Sequence, residues 1–340
     1  MTFFIPAFFL SLFGVFTIFG IRQDIIFNHV FYFILAIFSY FFTKKFSQIF
    51  RKNYIIFFWL SFFLLVITFI VGLESHGSKR WLNVYFFSFQ PSEILKIFFI
   101  FYFSFLFEKG SFYLEKIKIF LKSLIIFIII VFLVFKQPDL GNSIIFSLIF
   151  FIILLNSSIP KKIVFNFLLL IFIFLPSIWF FLRDYQKQRI ISFLNPHFDY
   201  QGASYHMIQS IISVGAGSFF GRGLGFGTQA KLAFLPESHT DFIFASLVEQ
   251  FGFFGGFLVL FLYSVLFYFL FRRGFYFLNQ KHERENFLII VGIIAYFFFQ
   301  IVINIGMNMG LFPITGIVLP FISYGGSALI SSFILLALIP

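Results

Sequence analysis

The chain contains no cysteine among its 340 residues, and only 13 of those residues carry a carboxylate. The first absence excludes disulfides and thiolate-ligated metal sites. The second makes every acidic side chain conspicuous. Charged residues amount to 11%, against roughly 25% in an ordinary soluble domain, which excludes a solvent-covered globule. A phosphate-binding glycine loop is missing as well. Glycines 215, 217, 221 and 223 cluster, but the G-x-G-x-x-G spacing fails and no βαβ unit surrounds them. No internal repeat of fixed period and no soluble domain is visible.

What remains is apolar. Hydrophobic residues make up 61% of the chain, with 68 phenylalanines, and the mean hydropathy is +1.02. Phe, Ile, Lys, Asn and Tyr are the residues of A/T-rich codons, so the phenylalanine excess reads as compositional bias without a function of its own. Apolar stretches recur at about 3–20, 28–43, 54–73, 91–107, 120–135, 141–156, 161–182, 241–271, 286–307 and 317–339. A helix of about 20 apolar residues crosses the hydrocarbon core. The expected fold is therefore an all-α polytopic membrane protein with ten transmembrane helices, forming a single domain over 1–340. The first stretch starts at Phe3 with no basic lead, which predicts a retained helix, not a cleaved signal.

Basic residues set the expected orientation. Segments 44–53, 108–122, 157–162 and 272–285 carry 14 Lys/Arg in 45 residues, and the alternate segments 9 in 96. The positive-inside rule then puts both termini in the cytoplasm and a long loop, about 183–240 between helices 7 and 8, outside. The net charge of +11 follows from this bias and from attraction to anionic lipid, and nucleic acid is not an expected partner. Within the long loop, 205–227 alternates small, apolar and polar residues. It reads as short interfacial or re-entrant pieces, tolerable at membrane depth where they are buried in protein or line a wet cavity.

Ionisable residues in an apolar bundle mark functional sites by default. Asp241 closes Leu235-Pro236-Glu237-Ser238-His239-Thr240-Asp241 at the start of an apolar run; it is a helix N-cap or a reactive carboxylate. Glu93 and Lys96, three apart after Gln90-Pro91-Ser92, share a helix face and can pair, either to bury a charged helix end or to act. In Lys79-Arg80-Trp81 the arginine is an interfacial anchor or a bidentate phosphate ligand. Asp139, in Gln137-Pro138-Asp139-Leu140-Gly141, is an N-cap or a functional acid. Ser323-Tyr324-Gly325-Gly326 fits small-residue helix packing. Singly each bland reading holds, but the charge count places all of these motifs on one side.

Together the motifs carry a resemblance. With Asp184-Tyr185-Gln186, Gln188-Arg189, Tyr205-His206-Met207-Ile208-Gln209-Ser210, Gly227-Thr228-Gln229 and His239-Thr240-Asp241-Phe242, they stand in the order found in the SEDS (shape, elongation, division and sporulation) family of peptidoglycan glycosyltransferases. The chain resembles this family from helix 3 to helix 10, most closely its rod-shape branch, with the septal branch as near relative. The resemblance implies a multi-pass protein of the cytoplasmic membrane that polymerises lipid II into glycan strands during elongation and shape maintenance. It implies a class B penicillin-binding protein as transpeptidase partner, together with the elongation machinery. Asp241 matches the family's catalytic aspartate. Arg80, Glu93, Lys96, Asp139, Arg189, Gln209, His239 and Ser323 stand at the implied substrate-binding positions. Ser238 stands where the family often has arginine, and Asn28-His29 where basic residues are common. A lipid II flippase is the rival reading from another class, but a flippase would distribute polar groups through the bilayer depth.

The implied reaction converts an α-linked sugar pyrophosphate into a β-linked glycan by inverting displacement. It needs a base for the acceptor hydroxyl and positive charge for the leaving group. Asp241 is expected to serve as that base, or to hold a divalent cation (Mg or Mn). No organic cofactor is expected.

Overall fold

The computed structural model describes the chain except residues 1, 76–77, 85–86, 111, 196–202, 233 and 281, with backbone alone at 73–75, 78–79, 83–84, 87, 175, 178 and 203. In hydrocarbon every backbone donor and acceptor must be satisfied within the segment, so apolar runs fold as helices. The helices are α1 (Phe4–Ile21), α2 (Ile26–Lys45), α3 (Ser47–Lys52), α4 (Tyr54–Val71), α5 (Pro91–Phe107), α6 (Tyr113–Lys136) and α7 (Leu140–Asn156). They continue with α8 (Lys161–Phe174), α9 (Asp184–Leu194), α10 (Ala203–Ala216), α11 (Thr228–Lys231), α12 (Ile243–Leu278), α13 (Arg284–Asn308) and α14 (Gly326–Ala337).

Each expected apolar stretch coincides with one of these helices. Among the described residues, six helical segments are long and apolar enough to cross a membrane on length and composition: Phe4–Ile21, Gln23–Lys45, Tyr54–Val71, Tyr113–Lys136, Ile243–Leu278 and Arg284–Asn308. Three boundaries differ from expectation. The stretch 161–182 is α-helical only to Phe174 and continues as a 3₁₀ helix, Leu175–Phe181, where Pro176 removes a backbone donor. The stretch 317–339 becomes helical only at Gly326. The helix expected from 241 begins at Ile243, which leaves Asp241 in the preceding turn.

At the centre lies α5, with 15 of its 17 residues buried. Aromatic stacks fasten it to α4: Phe58 on Tyr102 at 4.1 Å and Tyr54 on Phe105 at 4.5 Å between ring centroids. Offset and stacked rings contribute beyond the area they bury. By contrast α8 buries only Val164, so its flanks face outward from the bundle.

Between α4 and α5 the chain forms a three-stranded antiparallel meander, β1 (Leu73–Ser75), β2 (Ser78–Val84) and β3 (Phe87–Phe89). Trp81 pairs with Leu73 and Leu82 with Phe89. The side chain of Lys79 lies outside the described ones.

Near its N-terminal end α12 is broken at Gly252 (φ 69°, ψ −165°). The loop at 217–223 fills the break. Arg222 N donates to Glu249 O at 2.9 Å, Gly223 N to Gln250 O at 3.0 Å, and Phe253 N to Ser218 O at 2.9 Å. A Cβ on Gly252 would lie 2.3 Å from Gly221 N. The glycine cluster is therefore a backbone-to-backbone seam, and backbone freed by the break finds partners as lipid-embedded chain must.

Candidate active site

The polar motifs meet at one end of the bundle, where α5, α7, α12 and α14 begin and α13 finishes. The other end carries basic ties. Arg51 donates to Asn286 at 2.6 Å, Arg273 Nε to the carbonyl of Pro340 at 2.8 Å, and Arg284 pairs with Glu108 at 3.6 Å.

The first half of the site is a continuous chain of charge. Asp139 caps α7, with Oδ1 accepting from Asn142 N at 3.1 Å, while Oδ2 accepts from Asn142 Nδ2 at 2.9 Å and Gln90 Nε2 at 3.2 Å. Arg80, carried on β2, stands 3.8 Å from Asp139. It donates from Nε to Gln137 O at 3.1 Å and from Nη2 to Pro138 O. Deeper in, Lys96 donates to Glu93 Oε1 at 2.7 Å and to Asn142 Oδ1 at 2.9 Å, over the Tyr296 ring. Both members of this pair are buried. Glu93 Oε2 has no hydrogen-bond partner among the described residues. Asn142 therefore joins the Glu93–Lys96 pair to Asp139 and Arg80.

The second half is Asp241. Its turn begins at Glu237 in a left-handed conformation (φ 53°). Four consecutive carbonyls are then held from elsewhere. Ser238 O accepts from Ser246 Oγ at 3.1 Å, His239 O from Tyr324 N at 2.9 Å, and Thr240 O from Ser323 Oγ at 2.7 Å. The fourth, Asp241 O, accepts from Asn304 Nδ2 and Asn308 Nδ2, both at 3.0 Å. The Asp241 carboxylate itself makes no hydrogen bond among the described residues, and it lies 3.5 Å from where a Cβ on Gly316 would stand. Its side chain keeps some surface open, but crowding by protein pushes its pKa up to about 6. Glu237 adds to the rise, while Arg189 and Arg80 oppose it. Burial disfavours the charged form and nearby guanidinium favours it. A carboxylate poised near neutrality, without a bonding partner, can accept a proton or bind a cation.

The remaining expected residues divide. Arg189 is exposed, donates to Ile314 O at 3.2 Å, and stacks near Tyr185, whose hydroxyl donates to Pro138 O at 3.3 Å. It belongs with Arg80 in the field around Asp241. His239 looks the other way. The charges acting on it are Glu237, Arg22 and Asp24, and burial lowers its pKa; its ring lies 5.5 Å from that of Tyr324. Ser323 is buried and both donates to Thr240 O and accepts from Leu319 N at 2.8 Å, so it ties loops together and does not line an open site. Gln209 is half-buried on α10 and is not joined to this group by any described interaction.

Sequence reasoning missed three residues. Glu249 is fully buried. It accepts from Gln229 N at 2.9 Å, Ala230 N at 3.4 Å and Ser213 Oγ at 3.1 Å, which fixes α11 and α10 to α12. Asn304 and Asn308 are likewise fully buried. A carboxylate and two amides inside apolar helices were signals of the same kind that exposed Glu93.

The sequence matches the family model of the FtsW/RodA/SpoVE group, described as cell cycle protein, over residues 3–340. It is 37% identical over 339 residues to the probable peptidoglycan glycosyltransferase FtsW of Wigglesworthia glossinidia brevipalpis, covering 94% of this chain and 85% of that one. It is 38% identical over 272 residues to the peptidoglycan glycosyltransferase MrdB of Escherichia coli K12, covering 78% and 71%. Its fold superposes with TM-score 0.82 on a chain from a solved peptidoglycan synthase complex described as coordinating polymerization and crosslinking. That match covers 99% of this chain and 95% of the other at 23% identity.

Proposed function

This chain belongs to the FtsW/RodA/SpoVE family of cell cycle proteins, and on that premise we propose that it is a peptidoglycan glycosyltransferase polymerising lipid II at the outer face of the cytoplasmic membrane. The reading assigns ten membrane crossings with both termini cytoplasmic, which puts the Asp241 end of the bundle outside. The observation that carries it is the Asp241 carboxylate: without a hydrogen bond among the described residues, gripped through its backbone carbonyl, and within the electrostatic field of Arg189 and Arg80.

In this reaction the acceptor hydroxyl attacks the anomeric carbon of the donor sugar. The carbon–oxygen bond to pyrophosphate breaks as the new bond forms on the opposite face. Asp241 takes the hydroxyl proton, a contribution of about 10²–10⁴-fold. Arg80 and Arg189 receive the negative charge on the departing pyrophosphate. Asp139, Asn142, Lys96 and Glu93 hold Arg80's surroundings in place. Among the described residues no group of three or more His, Asp or Glu gathers. Asp241 alone would offer one carboxylate to Mg or Mn, a donor set that suits a cation shared with phosphate oxygens. Such a cation would supply further positive charge to the leaving group.

We assign the chain to elongation, with a class B penicillin-binding protein as partner, on the forms Gln137-Pro138-Asp139-Leu140-Gly141 and Tyr205-His206-Met207-Ile208-Gln209-Ser210. Matches to FtsW and MrdB at 37% and 38% support the chemistry equally and leave the branch to this local pattern. The test is a gel of glycan products from lipid II, with the purified protein and its partner. Wild type should give polymer, and Asp241→Asn should bind lipid II but polymerise it about 10²–10⁴-fold more slowly. Full polymer from the variant would sink the proposal.

A further inference from the structure

Helix α12 starts without a cap of its own. Its N-cap residue is Phe242, which supplies no side-chain hydrogen bond, and the first backbone N–H groups of any helix lack intrahelical partners. In most helices an Asp just before the first turn would fill that gap. Asp241 does not.

The gap is filled from another helix. Ala245 N, in the first turn of α12, donates to Asn308 Oδ1 at 3.1 Å. The same side chain donates from Nδ2 to Asp241 O at 3.0 Å and to Asn304 O at 2.8 Å. Asn304, one turn earlier on α13, donates to Asp241 O at 3.0 Å and to Ile317 O at 2.7 Å. Only one orientation of the Asn308 amide satisfies this set, since a flip would set its oxygen against two carbonyls. Ser210 Oγ donates to Asn308 O at 2.9 Å, so α10 is tied to the same turn.

We propose that Asn308, seconded by Asn304, is a positioning residue for the glycosyl transfer. It caps α12 in place of Asp241 and grips the Asp241 carbonyl, so the Asp241 carboxylate stays free and aimed at the acceptor hydroxyl. Aspartate commonly folds back onto nearby backbone N–H groups; Asn308 occupies one donor of this first turn, Ala245 N, and by holding the Asp241 carbonyl it fixes the backbone from which the carboxylate projects. Both asparagines are fully buried, so they act through the turn they hold. The inference rests on Asp241 being the catalytic group.

The test compares steady-state polymerisation of lipid II by wild type, Asn308→Ala, Asn308→Asp, Asn304→Ala, Asp241→Asn and the double variant Asp241→Asn/Asn308→Ala, each assembled with its partner. Asn308→Ala should lower kcat by about 10- to 100-fold, as displacement of a reacting group does, while KM for lipid II stays within about threefold. Asn308→Asp keeps an acceptor for Ala245 N and loses the donor to Asp241 O; it should show the same kcat loss and serves where the alanine variant does not accumulate. Asn304→Ala should lose less. The double variant should be no slower than Asp241→Asn alone, because both act through one carboxylate. Wild-type kcat in the folded Asn308 variants, or losses that multiply with Asp241→Asn, would overturn the proposal. Polymerisation at the wild-type rate in Asp241→Asn by itself would instead refute the catalytic role of Asp241, a separate failure.

Discussion

Arg80 and Asp139 stand 3.8 Å apart, yet the closer bonds of the arginine go to the carbonyls of Gln137 and Pro138. The guanidinium is therefore locked by the turn that precedes α7, and its charge remains available beside the Asp139 carboxylate. A planar fork suits two adjacent carbonyls, and a lysine cannot reproduce it. Arg80→Lys should keep the charge but lose this lock. We expect polymerisation to fall about tenfold or more through weaker leaving-group stabilisation, read as kcat on lipid II. Unchanged kcat would show that charge alone suffices.

A second expectation concerns pH. A base must be ionised to act, and Asp241 is pushed up to about 6. Activity should therefore rise with pH through about 6 and fall roughly tenfold per unit below it. A profile flat from pH 5 to 8 would remove Asp241 from the base role.

The same shift has a cost in stability, with a definite sign. A carboxylate whose pKa is raised in the folded state, from 3.8 to about 6, binds its proton more tightly folded than unfolded. Stability is then highest below the unfolded value and declines as pH rises through the folded one. Asp241→Asn, which stays neutral, should raise Tm at pH 8 by an amount worth about 1–3 kcal/mol. That advantage should vanish near pH 4. A variant less stable than wild type at pH 8 would contradict the burial argument.

Glu249 offers the opposite case. Its oxygens take two backbone N–H groups of α11 and the Ser213 hydroxyl. Glu249→Ala leaves those donors buried without acceptors, a loss of about 2–3 kcal/mol. Thermal melts in detergent should show it, and Glu249→Gln should recover part of the difference.

At the seam in α12, Gly252 and Gly221 both have positive φ, and a Cβ on either would lie within 2.3 Å of backbone. Gly252→Ala should destabilise the protein more than Gly215→Ala, since Gly215 has open space around it. Comparable melting temperatures for the two variants would dismiss the seam as a constraint.

These cases show how far the sequence was readable. Asp241 stood out because carboxylates are scarce and each is expensive beside an apolar run. The pairing of Arg80 with Asp139 did not, since 58 residues separate Arg80 from its nearest carbonyl partner, Pro138, and no periodicity encodes that approach. The strands β1 to β3 were hidden because they are short, three to seven residues each, and lie between two long apolar runs. What the sequence did not reveal about Ser323 is its burial and its bond to the Thr240 carbonyl, a contact across 83 residues. Asn304 and Asn308 form an i, i+4 pair on one face of an apolar helix, a fainter signal than Glu93 because amides carry no charge.

Side-chain amides hold another helix or loop at several points: Gln137 reaches Leu65 O at 3.2 Å, Gln250 reaches Thr17 O at 3.1 Å, and Asn304 reaches Ile317 O. With 68 phenylalanines in the chain, the rings at buried and lipid-facing positions are the same, so ring packing carries little information about which register of two helices is the right one. Sliding a helix by one turn would exchange one phenylalanine for another but would strand an amide in hydrocarbon. The few glutamines and asparagines thus act as the teeth of a key, and the alphabet that spells this fold is much smaller than its length implies.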